Sequence, residues 1–170
     1  MNRRNIITLT AIATLGFALL PGNAPAQQKS LKEQLIGVWT LVSNDNIAPD
    51  GNKRQPFGAN PKGTLILDAS GRYAQVQLNP AVPKFKADNR LGGTSEENAA
   101  VVRGTAAQFG RWSVDEASKT IVSHLDGSIF PNATGTDTKR AVTIAGDELR
   151  LDNPTPGAGG QGLTVWKRVK

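Results

Sequence analysis

From Gly37 to the C-terminus the chain is a succession of about eight short strand-like runs, broken by turn residues and by a single helix-like stretch. Short antiparallel strands with no helices to cover their edges must close into a barrel or stack as a sandwich. The runs are Gly37 to Ser43, Gly63 to Asp68, Arg72 to Leu78, Phe109 to Val114, Thr120 to Leu125, Thr138 to Ile144, Glu148 to Leu151 and Leu163 to Val169. Ala69-Ser70-Gly71, Asp115-Glu116-Ala117-Ser118 and Ala145-Gly146-Asp147 have the composition of hairpin turns. Asn44 to Lys62 and Pro154 to Gly162 read as longer loops. Thr94-Ser95-Glu96-Glu97 opens a helix, with a hydroxyl N-cap and acids in the first turn, and Gly104 stops it. Before the first strand, Gln27 to Gln34 is a polar lead-in with room for one helical turn.

The strands do not account for the first 26 residues. Arg3 and Arg4 form a positive start, Ile6 to Leu20 is almost wholly apolar, and Ala24-Pro25-Ala26 places small residues at a cleavage site. This is the anatomy of a secretory signal peptide, cut between Ala26 and Gln27. The apolar run is shorter than the ~20 residues that span a bilayer, so no stable membrane insertion is expected once the leader is gone. The expected product is a periplasmic or secreted domain over residues 27–170. The chain has no cysteine, which excludes a lipid-anchored N-terminus, a disulfide staple, a thiol nucleophile and a zinc–thiolate site. Apart from Arg3 and Arg4, 18 basic residues face 14 acidic ones, and they are dispersed. Aromatics make up only 5% of the chain, too few for an evident base-stacking platform, so nucleic acid is not an expected partner.

Five segments appear in order: Gly37-Val38-Trp39-Thr40-Leu41, Pro56-Phe57-Gly58-Ala59-Asn60-Pro61-Lys62-Gly63, Gly92-Gly93-Thr94-Ser95-Glu96-Glu97, Phe109-Gly110-Arg111-Trp112-Ser113-Val114-Asp115 and Gly127-Ser128-Ile129-Phe130-Pro131-Asn132. Together they resemble the small bacterial and fungal lipocalin-like domain family over nearly all of residues 35–170. The Pro-Phe-Gly-x-Asn-Pro-x-Gly loop is the most specific of them. One departure is Ala133, where that family often carries a bulky aromatic. The resemblance implies an all-β fold, a single antiparallel eight-stranded lipocalin-like β-barrel with one short helix. It implies no activity, because most members have no assigned function.

Few residues carry chemistry. His124 is the only histidine and the only side chain whose unperturbed titration falls near neutral pH. At a barrel mouth, with Asp126 or Arg140, it can orient a ligand or act as a base; the plainer reading is a hydrogen-bonded strand histidine. Strand parity groups it with Val122 and Asp126, opposite Ile121 and Leu125, and leaves the inward face open. Tyr73, the sole tyrosine, shares a face with Gln75 and Gln77. If that face is inward it offers three polar groups among apolar walls, as ligand pockets do. If not, Ala74, Val76 and Leu78 form the core, the more natural assignment for a filled barrel. Trp39, Trp112 and Trp166 can line a pocket or close the barrel floor. Arg111 and Arg140 are mid-strand charges able to hold a carboxylate through paired hydrogen bonds, although exposed barrel arginines are commoner.

The candidate ligand-binding set is therefore Trp39, Tyr73, Arg111, His124 and Arg140. One histidine without cysteine gives no expected metal site, and Gly157-Ala158-Gly159-Gly160 precedes a strand rather than opening a helix, so no cofactor is expected either. The preferred function is an exported barrel that binds a small, mainly hydrophobic or amphipathic molecule. A metal-independent isomerase- or cyclase-like enzyme using His124 with Asp126 is the alternative. A filled barrel that serves as a partner-binding accessory is the third.

Overall fold

The computed structural model describes residues 29–154 and 160–170. The expected leader over residues 1–26 lies outside the described residues, as does the centre of the loop from Pro154 to Gly162. The strands are β1 (Gly37–Ile47), β2 (Lys53–Arg54), β3 (Lys62–Leu67), β4 (Arg72–Leu78), β5 (Thr105–Asp115), β6 (Thr120–Ser128), β7 (Asp137–Ala145), β8 (Glu148–Asn153) and β9 (Gln161–Arg168). Helix α1 (Leu31–Leu35) precedes β1, α2 (Ser95–Arg103) joins β4 to β5, and Pro131–Ala133 forms a 3-10 turn. From β3 onward each strand pairs antiparallel with the next; β3 and β9 both pair with β1, which closes an eight-stranded barrel. The two-residue β2 only extends the edge of β1. Closure leaves the eight long strands without a free edge, the solution that the sequence pattern demanded.

Strand periodicity decides what faces the lumen. Trp39 and Leu41 point inward on β1, as do Leu65 and Leu67 on β3 and Ile121, Ser123 and Leu125 on β6. Leu149 and Leu151 do so on β8. On β4 the inward set is Tyr73, Gln75 and Gln77, while Ala74, Val76 and Leu78 form the less buried outer face. This reverses the core assignment natural to a filled barrel. Tyr73 lies opposite Leu67 and Gly110, and its ring offers the core more area than the Ala74 methyl does. The two-residue period then carries both glutamines inward.

Two bulges shift the alternation. On β1 the register with β9 slips between Leu41 and Ser43, so Asn44 and Asn46 pair with Thr164 and Gly162 instead of following the parity of Trp39 and Leu41. A second slip sets Gly110 opposite Leu125 and Phe109 opposite Gly127. A side chain on Gly110 would collide with the carbonyl of His124, so only glycine allows the two strands to approach there.

The two ends of the barrel differ. One carries the tight turns β3–β4, β5–β6 and β7–β8 together with α1; the other carries the long connections. The α1 end is packed solid by Leu35, Trp39, Leu67, Trp112, Leu149 and Trp166. Helix α1 is a plug: its first amides, Leu31 N and Lys32 N, each donate to the Glu116 carboxylate at 2.9 Å. At its far end the Arg168 guanidinium donates to Ile36 O at 2.9 Å and to Gln34 O, and lies 4.0 Å from the centre of the Trp39 ring. Those bonds satisfy helix-end groups that have no partner within so short a helix.

Candidate functional site

At the opposite end the inward residues change character. Asn44 and Asn46 on β1, Gln75 and Gln77 on β4, Arg140 on β7, Asn153 on β8 and Thr164 on β9 surround a cavity of about 200 Å³ inside the barrel, with Pro56 and Leu163 completing part of the wall. Register explains Arg140: it lies directly opposite Ile121, an inward residue, and two positions from buried Val142. Gln108 on β5 is opposite Gln75 and therefore points the same way. Tyr73 is one inward position deeper than Gln75, at the boundary with the apolar half.

Some of these polar groups satisfy one another. Asn44 Nδ2 donates to Gln77 Oε1 at 2.6 Å. Asp45, which also lines the cavity, accepts from Gln55 Nε2 at 3.0 Å and lies 3.0 Å from Lys53 Nζ, so its charge is matched. Arg140 is different. Its Nη1 donates to Thr138 Oγ1 at 3.1 Å, yet no carboxylate among the described residues lies within ion-pair distance. A guanidinium has five N–H donors, and one such bond leaves the others open to water or a ligand.

Some buried side-chain atoms along the lumen are unmatched. Asn46 Oδ1, Tyr73 Oη and Gln108 Nε2 have no hydrogen-bond partner, although Asn46 is only 7% and Tyr73 5% exposed. Buried polar atoms are normally paired; of these three Asn46 lines the cavity, Gln108 lies opposite its Gln75 wall and Tyr73 lies deeper, while a fourth orphan, Trp166 Nε1, sits in the packed end. Burial pushes the Tyr73 hydroxyl up to about 12; the nearby Arg140 charge pulls against that rise and Asp126 adds to it. Burial likewise pushes the Arg140 guanidinium below its ordinary value, with Tyr73 acting in the opposite sense.

The five sequence candidates are thus separated. Tyr73 and Arg140 face the lumen within electrostatic reach of each other. Trp39 is inward but fully buried in the packed end, where its Nε1 donates to Leu35 O at 3.0 Å. Arg111 and His124 sit opposite each other on the outer wall and do not line the lumen. There His124 Nδ1 is 2.7 Å from Asp137 Oδ1, and Asp126 holds Arg72 at 2.7 Å and Arg111 at 3.6 Å, a network that ties β4, β5, β6 and β7 together. Their placement follows from parity: the face opposite Ile121 and Leu125 must be the outer one once those residues enter the core. The acid–base pair of His124 with Asp126 is therefore outside the cavity. Asn44, Asn46, Gln108 and Thr164 gave no separate signal in the sequence, because polar strand residues read as solvent-facing until the register is known.

Comparison with known proteins adds three findings. Residues 36–169 match the model of a lipocalin-like domain. The 4'-hydroxy-3'-methoxypropiophenone carrier protein ppsC of Aspergillus oryzae is 30% identical over 106 residues, which is 56% of this chain and 95% of that protein. Among solved structures, a lipocalin-like protein from Bacteroides uniformis is 13% identical with a TM-score of 0.45, over 79% of this chain and 98% of its own. A variant of the fluorescent protein UnaG is 14% identical with a TM-score of 0.37, over 81% of this chain and 97% of its own.

Proposed function

This chain belongs to the lipocalin-like domain family, and from that premise we propose that it is a carrier, holding one small amphipathic molecule in the polar half of its barrel. The observation that carries this reading is the cavity of about 200 Å³ at the polar end of the barrel, whose lining includes Arg140 without a carboxylate partner. Size narrows the cargo. An apolar cavity of about 150 Å³ accommodates benzene, whereas drug-sized ligands occupy roughly 300–1,000 Å³. A single substituted ring suits this space; a long acyl chain or a polycyclic molecule does not.

The lining modifies the expectation of a mainly hydrophobic cargo. Amides and a guanidinium outnumber apolar side chains around the cavity, so the ligand carries polar substituents that those groups can meet. The name of the Aspergillus relative describes a single ring with hydroxyl, methoxy and keto groups. A molecule of that size and polarity is the class we assign to this barrel. Isothermal titration with 4'-hydroxyacetophenone, a ring of the same pattern, tests the assignment. One-to-one binding is expected, weakened at least ~10-fold by Thr164→Phe, which fills the lumen from β9, with the barrel's circular dichroism unchanged. Absence of binding to this and related aryl ketones, or affinity indifferent to that substitution, would refute the lumen as the site.

We also infer that the carrier works outside the cytoplasm. The basic start, apolar run and Ala24-Pro25-Ala26 support removal of residues 1–26. N-terminal sequencing of protein recovered from outside the cytoplasmic fraction should begin at Gln27; a product that retains Met1 there would count against it.

A further inference from the structure

We propose that the lumen selects the anionic form of its aromatic ligand, a phenolate or a carboxylate, with Arg140 as the counter-charge. This rests on the carrier reading above and adds the charge of the cargo to it. The barrel brings a permanent cation to an inward position and supplies it with one neutral partner, Thr138. Arg140 is half-buried, and a charge partly withdrawn from water is favoured by a counter-ion. The fold has carboxylates available, and it uses them elsewhere: Asp45 turns to Lys53, while Asp126 engages Arg72 and Arg111 on the outer wall.

The neighbouring orphans have the same polarity. Gln108 Nε2 is a donor without an acceptor, and the Tyr73 hydroxyl donates as long as it keeps its proton, which burial favours. Tyr73 and Gln108 thus lack acceptors, and Arg140 has Thr138 alone. An oxyanion is the group that meets several converging donors at once, and such charge-assisted bonds exceed neutral ones in strength. The charged groups that line the cavity are Arg140 and Asp45; Asp45 is engaged by Lys53 and Gln55, and the Tyr73 hydroxyl lies one inward position deeper than Gln75, so the guanidinium is left without a carboxylate partner. A ligand hydroxyl elsewhere on the ring has the one unmatched acceptor, Asn46 Oδ1, to reach.

The test compares matched probes on the full-length mature protein at neutral pH. 4'-Hydroxyacetophenone is set against its methyl ether, and benzoate against benzamide, with binding read by titration and phenol ionisation read by the red-shifted absorbance of the phenolate. The expected result is that the phenol shows its ionised spectrum when bound, with an apparent pKa lowered by about one unit or more. Where the lumen prefers a carboxylate, benzoate instead binds ~10-fold or more tightly than benzamide. Which pair shows the larger preference tells phenolate from carboxylate. Arg140→Met should abolish the preference and the spectral shift, and Arg140→Lys should restore part of both. Equal affinity within both pairs, with the bound phenol un-ionised, would overturn charge selection and leave the carrier reading intact. Failure of all four probes to bind would overturn both.

Discussion

Tyr73 holds a hydroxyl in a place where nothing accepts its proton. A buried donor left unsatisfied costs about 1–3 kcal/mol. Tyr73→Phe is therefore expected to raise the stability of the ligand-free protein by about 1 kcal/mol, seen as a higher melting temperature, and to weaken binding of an anionic ligand. Alkaline titration supplies a second check. The folded-state value of about 12 lies above the unfolded value near 10, so the neutral hydroxyl favours the fold at all pH below 10. That contribution is lost as pH rises from 10 toward 12, and Tyr73→Phe should remove it from the alkaline unfolding profile. As the sole tyrosine, Tyr73 titrates without overlap from another phenol. A spectroscopic midpoint at 10 would mean that water reaches the hydroxyl.

Among the elements, α2 is the least anchored. None of its residues is buried, and its start depends on a reciprocal pair: Thr94 Oγ1 accepts from Glu97 N at 3.2 Å and the Glu97 carboxylate accepts from Thr94 N at 2.8 Å. The same carboxylate accepts from Lys86 N at 2.8 Å, tying the helix to the loop before it. These backbone bonds hold Glu97 below its usual pKa, so the cap is intact above that usual value and is released as pH falls through the lowered one. Thr94→Ala should cost the helix about 1 kcal/mol. Because α2 adds little to the core, the loss is expected as faster amide exchange confined to residues 97–103, with the melting temperature almost unmoved. Exchange that accelerates throughout the barrel instead would show that the helix braces the strands.

The helix and its cap were legible in the sequence because a hydroxyl N-cap, first-turn acids and a stop glycine act locally. Strand existence was legible for the same reason. Strand sidedness was not. One extra residue near Val42 exchanges the faces of β1, so Asn44 and Asn46 enter the lumen, and no local signal in Leu41-Val42-Ser43 marks the slip. Arg140 was visible as a candidate, but Arg111 looked identical to it; only pairing with Ile121 rather than His124 separates an inward arginine from an outward one.

At the scale of the whole molecule, the barrel divides its labour along its axis. The α1 end carries the apolar core and the plug; the other end carries Arg140 and the cavity. Stability and binding should then be separable by substitutions of the same residue type at opposite ends. Arg168→Ala removes a charged donor from Ile36 O and Gln34 O and a cation from the Trp39 face. Charged hydrogen bonds contribute about 1.5–3 kcal/mol and a cation–aromatic contact about 0.5–1, so a loss of about 2–4 kcal/mol is expected. In a domain of this length that lowers the melting temperature by about 5–10 °C. Ligand affinity, measured well below the melting transition, should not change. Arg140→Met does the converse: it removes an unpaired charge from the lumen, so the ligand-free protein should melt at the same temperature or slightly higher, while affinity for an anionic probe collapses. The stabilisation that wild-type protein gains from ligand, about 2.7 kcal/mol at a hundredfold excess over Kd, should vanish in Arg140→Met and persist in Arg168→Ala. If Arg168→Ala weakens binding as much as it lowers stability, the two ends are mechanically coupled, and the plug would have to be counted as part of the binding site.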